Sequence, residues 1–192
     1  MPRLFAAVEL PEEARDELAA LEAPLQGARW MEHDELHLTL RFAGDVDNAR
    51  AREFADALAS IARDVFEIRI AGLGAFGGND PRALWAGVEP NPALDQLARD
   101  CERAARQAGL PPETRAFKPH VTLARLRYAR VDTVARYLEH NGGFRLAPFV
   151  VERFVLFSSR PQVGGGPYVL EEAFPLRGGM LGYGLDEDDE AV

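Results

Sequence analysis

The same order of elements is written twice in this chain, and any fold must accommodate both copies. Phe5-Ala6-Ala7-Val8-Glu9-Leu10-Pro11 is echoed by Leu84-Trp85-Ala86-Gly87-Val88-Glu89-Pro90. Each segment is followed by a helical stretch and then by an apolar run containing His-x-Thr-Leu, at His37 to Leu40 and again at His120 to Leu123. Val8 lies 29 residues before His37, and Val88 lies 32 residues before His120. A repeat of this kind predicts two similar lobes about an approximate two-fold axis, with the two His-x-Thr strands side by side across a cleft. The expected fold is α+β: two pseudo-symmetric lobes of mainly antiparallel sheet with outer helices. They form one bilobal domain over 1–178, with the internal duplication at about 3–71 and 83–150.

Local signals fill in the elements. A strand over 3–10 ends at Pro11, which suits the first turn of a helix over 11–23. The first His strand spans 35–42, and a helix over 47–63 carries Phe54, Leu58 and Ile61 at helical spacing. A strand over 65–71 leads into a glycine-rich loop from Gly72 to Pro81. The second copy supplies a helix over 92–108, the His strand 118–126, a helix over 131–141 and a strand over 144–150. Residues 150–157 and 168–174 read as a strand pair joined by a loop at Gly164-Gly165-Gly166. The segment 179–192, glycine-rich and then acidic from Asp186 to Glu190, reads as a disordered tail.

Hydrophobic and charged contents of 47% and 28% are those of a soluble globular protein. The net charge of −9 includes five acidic residues at 186–190. Such a balance argues against a protein that coats nucleic acid through its overall field. It leaves room for a local basic pocket, and Arg41, Arg115, Lys118, Arg125, Arg127 and Arg130 lie near the two motifs. Cys101 is the only cysteine, so an intrachain disulfide is impossible. Glu9 interrupts the N-terminal apolar run too early for a signal peptide, and no run approaches the roughly 20 apolar residues of a membrane span. A cytoplasmic monomer without membrane attachment is expected.

In a strand, residues i and i+2 share a face, so His37 stands beside Thr39 and His120 beside Thr122. Two imidazoles and two hydroxyls brought together suit a phosphate ester. Only imidazole has an ordinary pKa near neutrality, so one ring can take a proton while the other gives one. No other His, Cys, Asp or Glu cluster has metal-ligand spacing, and neither metal nor cofactor is expected. His33 and His140 lack the following threonine and read as structural. Phe42 and Arg125 are out of phase with the motif histidines and reach the cleft only if the strand ends, twists or bulges before them.

These motifs resemble the two-histidine (2H) phosphoesterase superfamily, and within it the RNA 2′,3′-cyclic phosphodiesterases, also called 2′-5′ RNA ligases. The likeness covers about residues 3–177. It is carried by Arg3 to Pro11, Leu36 to Gly44, Leu84 to Val88, Phe117 to Arg125 and Phe157-Ser158-Ser159. It implies two lobes about a cleft and hydrolysis of RNA-terminal or nucleoside 2′,3′-cyclic phosphates to 2′-phosphates. By the same resemblance His37 is the proton donor and His120 the acceptor. Arg125 would bind phosphate and Phe42 would stack on a base, with Arg127 a further candidate for substrate contact. Weak 2′-5′ RNA ligation and a non-catalytic nucleotide- or RNA-binding module are the alternatives.

Overall fold

A computed structural model describes residues 3–159 and 168–179. In chain order the elements are β1 (Arg3–Glu9), α1 (Glu12–Ala19), β2 (Ala28–Trp30), a 3₁₀ turn (His33–Glu35), β3 (His37–Asp45), α2 (Asn48–Ala59), β4 (Phe66–Ile68) and β5 (Ile70–Phe76). There follow β6 (Ala83–Val88), α3 (Pro92–Gln107), β7 (His120–Leu126), α4 (Val131–His140), β8 (Phe149–Val151), β9 (Arg153–Ser159) and β10 (Val169–Pro175). Side chains set several of these boundaries. The Asp47 carboxylate accepts from the N–H groups of Ala49 and Arg50, both at 3.0 Å, and so starts α2. Asn91 caps α3 through Leu94 N–H at 3.0 Å, with Pro92 in the first turn.

The strands form one antiparallel sheet in the order β10-β9-β1-β3-β7-β6-β5, with β2 also paired to β7, and a separate two-stranded ladder of β4 with β8. Its middle is the pairing of β3 with β7 at Leu38 and Val121, the residue after each motif histidine. One face is covered by the helices. Leu38, Leu40, Val121 and Leu123 pack there with Phe54 and Leu58 of α2, Leu94, Leu97 and Cys101 of α3, and Val134 of α4. Full burial of each large apolar side chain is worth about 1.5–3 kcal/mol, which holds the sheet face to the helices. The other face carries a small cluster of Phe5, Ala7 and Val155, against which Phe157, Tyr168 and Ala173 pack.

Two bulges interrupt the alternation at equivalent places. Between β1 and β3, Ala7 pairs with Thr39 and Ala6 with Arg41, so Leu40 has no partner. Between β6 and β7, Trp85 pairs with Thr122 and Leu84 with Ala124, so Leu123 has none. Each extra residue is the leucine of His-x-Thr-Leu. One inserted residue reverses which side chains face which way. Phe42 therefore lies opposite Phe5, on the face of His37 and Thr39. Arg125 likewise lies opposite Ala83, on the face of His120 and Thr122. Leu40 and Arg41 are both buried, as are Leu123 and Ala124, which marks the same reversal.

Other boundaries differ from the sequence reading. Gly72 to Phe76 continue as β5 instead of forming a loop, and the turn is confined to 77–80. Glycine at 74 serves a neighbouring ring: a Cβ there would lie 2.2 Å from Cζ2 of Trp85. The expected strand over 65–71 is divided between β4, which pairs with β8, and β5, which pairs with β6. The expected strand over 144–150 is reduced to Phe149–Val151, with Arg145 making only an isolated bridge to Ala71. α1 and α2 end four residues earlier than their patterns suggest. β9 and β10 pair antiparallel as anticipated. The joining loop at Gly164 to Gly166 and the acidic tail from residue 180 lie outside the described residues.

Candidate active site

Each motif histidine is oriented by the backbone carbonyl two residues before it. Nδ1 of His37 lies 2.7 Å from the Glu35 carbonyl oxygen, and Nδ1 of His120 lies 2.6 Å from that of Lys118. A carbonyl can only accept, so Nδ1 carries the hydrogen and the neutral ring presents an Nε2 lone pair. Nε2 of His37 accepts from the Thr39 hydroxyl at 3.0 Å, the pairing that the i, i+2 spacing anticipates. The 3₁₀ turn that supplies Glu35 is itself closed by a capping box, with Glu32 N–H donating to the Glu35 carboxylate at 2.9 Å.

Burial pushes the His37 imidazole down to about 4. The hydrogen bond to Glu35 opposes this, while the positive charges of His120 and Arg125 add to it. His120 also lies below its ordinary value, through burial first, against the Lys118 carbonyl, and then through the charges of Arg125 and Lys118. Arg125 therefore acts on both rings and His120 acts on His37, as expected of one electrostatic cluster at the middle of the open sheet face.

The two rings are walled differently. His37 lies against Phe5 at 4.8 Å between centroids, with the edge of Tyr168 at 5.0 Å and Phe157 at 6.2 Å. Phe42 stacks on Phe5 at 6.0 Å and 12° and is 46% exposed. His120 meets Phe76 edge-on at 4.9 Å and Trp85 at 6.5 Å, and Nζ of Lys118 sits over both of those rings, at 5.4 and 5.2 Å. Lys118 stands among the basic residues noted beside the second motif. Phe5, Tyr168, Phe157, Phe76 and Trp85 were not singled out by spacing, and only places in matched segments could have indicated Phe5, Phe157 and Trp85.

Arg127 is not brought into this group: it follows the end of β7 and its guanidinium lies 5.4 Å from the Tyr128 ring. Arg41 is buried behind the first bulge, bonded to Glu102 and to the carbonyls of Phe42 and Pro111, so it ties β3 to the segment leading into β7. His33 binds Asp16 at 2.8 Å on the exterior. Among the described residues no three His, Cys, Asp or Glu converge as metal ligands, and no helix is long and apolar enough to cross a membrane.

The geometry is that of a continuous antiparallel sheet backed by helices, with two histidines and Arg125 on its open face. The sequence profile of the 2′-5′ RNA ligase superfamily matches residues 10–161, and the chain belongs to that family. A curated relative from Aeropyrum pernix, named RNA 2′,3′-cyclic phosphodiesterase, is 40% identical over 118 residues, which is 60% of this chain and 65% of that protein. One of the same name from Geobacillus stearothermophilus is 34% identical over 128 residues, 63% of this chain and 41% of that protein. The chain thus spans less than two thirds of the length of these relatives. The crystal structure of E. coli LigT complexed with 3′-AMP superposes with a TM-score of 0.76 at 27% identity, covering 92% of this chain and 99% of that one.

Proposed function

We propose that this chain is a metal-independent, cytoplasmic, monomeric enzyme that hydrolyses 2′,3′-cyclic phosphates of RNA ends or nucleotides to 2′-phosphates. The observation that carries this reading is the pair of imidazoles, each held by Nδ1 with Nε2 available for the reaction, under the common charge of Arg125. Neutral His120 takes a proton from water as its oxygen bonds to phosphorus. The bond from phosphorus to O3′ breaks, and protonated His37 gives its proton to the departing oxygen. Protonation of His37 releases the Thr39 hydroxyl from Nε2, so Thr39 and Thr122 donate to the non-bridging oxygens. Arg125 offsets the charge that gathers there. The donor and acceptor roles come from family resemblance. Phe42, stacked on Phe5, offers an exposed ring for the base, and Arg127 is left to a strand long enough to pass β7. The relatives' names and the nucleotide held by the E. coli structure support the substrate class.

A dinucleotide ending in a 2′,3′-cyclic phosphate should give the 2′-phosphate at the same rate with and without chelator, followed by chromatography against both monophosphate standards. A 3′-phosphate product, or turnover lost on chelation, contradicts the reading.

The pH dependence follows from the two shifts. The acid must be protonated, and His37 holds its proton only below about 4 in the free protein. The base must be neutral, and His120 loses its proton below its ordinary value of 6.5. The profile of kcat/KM, which reports the free enzyme, is therefore a bell with its maximum on the acid side of 6.5. Bound phosphate adds negative charge beside both rings and raises both values, so the kcat maximum lies at higher pH. Initial rates between pH 3.5 and 9 check this, and a kcat/KM maximum above neutrality contradicts it.

A further inference from the structure

β2 lies beside β7 with Ala28 opposite Leu126, Arg29 opposite Arg125 and Trp30 opposite Ala124. Because the bulge at Leu123 turns Arg125 to the face of the histidines, its cross-strand neighbour Arg29 faces the same way. Like charges directly opposite on adjacent strands destabilise a sheet, their Cβ atoms standing about 4.5–5.5 Å apart. Both side chains are exposed, and among the described residues neither guanidinium has a hydrogen bond or an ion pair. Many of the chain's other arginines are paired, Arg41 with Glu102, Arg63 and Arg103 with Asp100, Arg153 with Glu9, whereas Arg29 and Arg125 stand together on the face of the histidines without an acidic partner among the described residues. Two uncompensated cations side by side on an open face form a site for anionic oxygen.

The two arginines are not equivalent. Arg125 acts on both histidines and on Tyr168, and the charge of Arg29 is felt, more weakly, at Tyr168, whose ring edge lies against His37 at 5.0 Å. Arg29 stands on β2, the strand beside Arg125 on β7. Adjacent β1 and β9 present Phe5 and Phe157 on this face, and Phe42 stacks on Phe5. Phe42, 46% exposed over the buried Phe5, offers a base one open ring, and Arg125 with Arg29 offers phosphates a cationic pair.

We propose that Arg29 binds the internucleotide phosphate on the 5′ side of the terminal ribose, so that the preferred substrate is an RNA strand end and not a free cyclic nucleotide. This rests on the reading above, which places the cyclic phosphate at Arg125. The test compares wild type with Arg29→Gln on a nucleoside 2′,3′-cyclic monophosphate and on a tetranucleotide ending in the same cyclic phosphate. Wild type should prefer the tetranucleotide. Arg29→Gln should lower kcat/KM for the tetranucleotide about tenfold, through KM, as loss of a charged phosphate contact predicts, and leave the monophosphate unchanged. The slope of log KM against log salt for the tetranucleotide should fall by about 0.7, one phosphate's share for a single strand. Arg29→Lys should restore part of the loss. Equal losses on both substrates, or no loss on the tetranucleotide, would overturn the proposal. Affinity for a tetranucleotide ending in a 2′-phosphate, titrated by fluorescence anisotropy, is read without turnover. Weaker binding by Arg29→Gln supports the phosphate contact even if hydrolysis is absent, and equal affinity overturns it.

Discussion

His120→Ala is expected to lower kcat on a cyclic-phosphate dinucleotide by about 10²–10⁴-fold, the usual weight of one positioned acid or base. His37→Ala should cost a similar factor, and the double variant should be little worse than either single one, because the two rings act on one proton inventory. The variants differ in what they leave behind. His37 packs between Phe5 and Tyr168, so its removal opens a gap among rings and His37→Gln is the better control for volume. His120 has Phe76 at its edge and Lys118 close by, and its removal disturbs less. Affinity for a 2′-nucleotide product should stay within a few fold in both cases. Steady-state rates with circular dichroism of each variant measure this. A His120→Ala protein retaining a tenth of wild-type kcat would remove the proton-transfer role.

Arg125→Gln should reduce kcat/KM by about 10²–10³-fold, the range found when one preorganised donor to developing negative charge is lost. It carries a second signature. The charge of Arg125 lowers both histidines, so without it both bind protons more readily and the kcat/KM maximum moves to higher pH. A lower rate with an unmoved maximum would make Arg125 a scaffold residue. Arg125→Lys keeps a positive charge but not the planar fork, and should recover the pH position better than the rate.

Much of this site could be read before the chain was folded. His37 and Thr39, like His120 and Thr122, stand two positions apart in apolar runs, and a strand's period of two makes each pair local. Hydrogen bonding of His37 to Thr39 needs nothing but that geometry. The duplicated order of elements also pointed to corresponding strands meeting, and Leu38 does pair with Val121. Phe42 and Arg125 could not be placed this way, because a bulge depends on the register of β1 against β3 and of β6 against β7, which are long-range pairings. Glycine misled for a related reason: Gly74 accommodates Trp85 across a ladder and does not mark a turn.

What the sequence determined by itself is therefore what lies within a few residues along one strand: which groups can share a proton, and that there are two sets of them. Tertiary structure alone decided which further side chains look onto those groups. Arg29 beside Arg125, the aromatic wall of Phe5, Phe157 and Tyr168, and the cage of Lys118 over Phe76 and Trp85 all join residues from separate segments of the chain. Their neighbourhood is set by ladder register and by burial of the opposite sheet face, and neither is a property of adjacent residues.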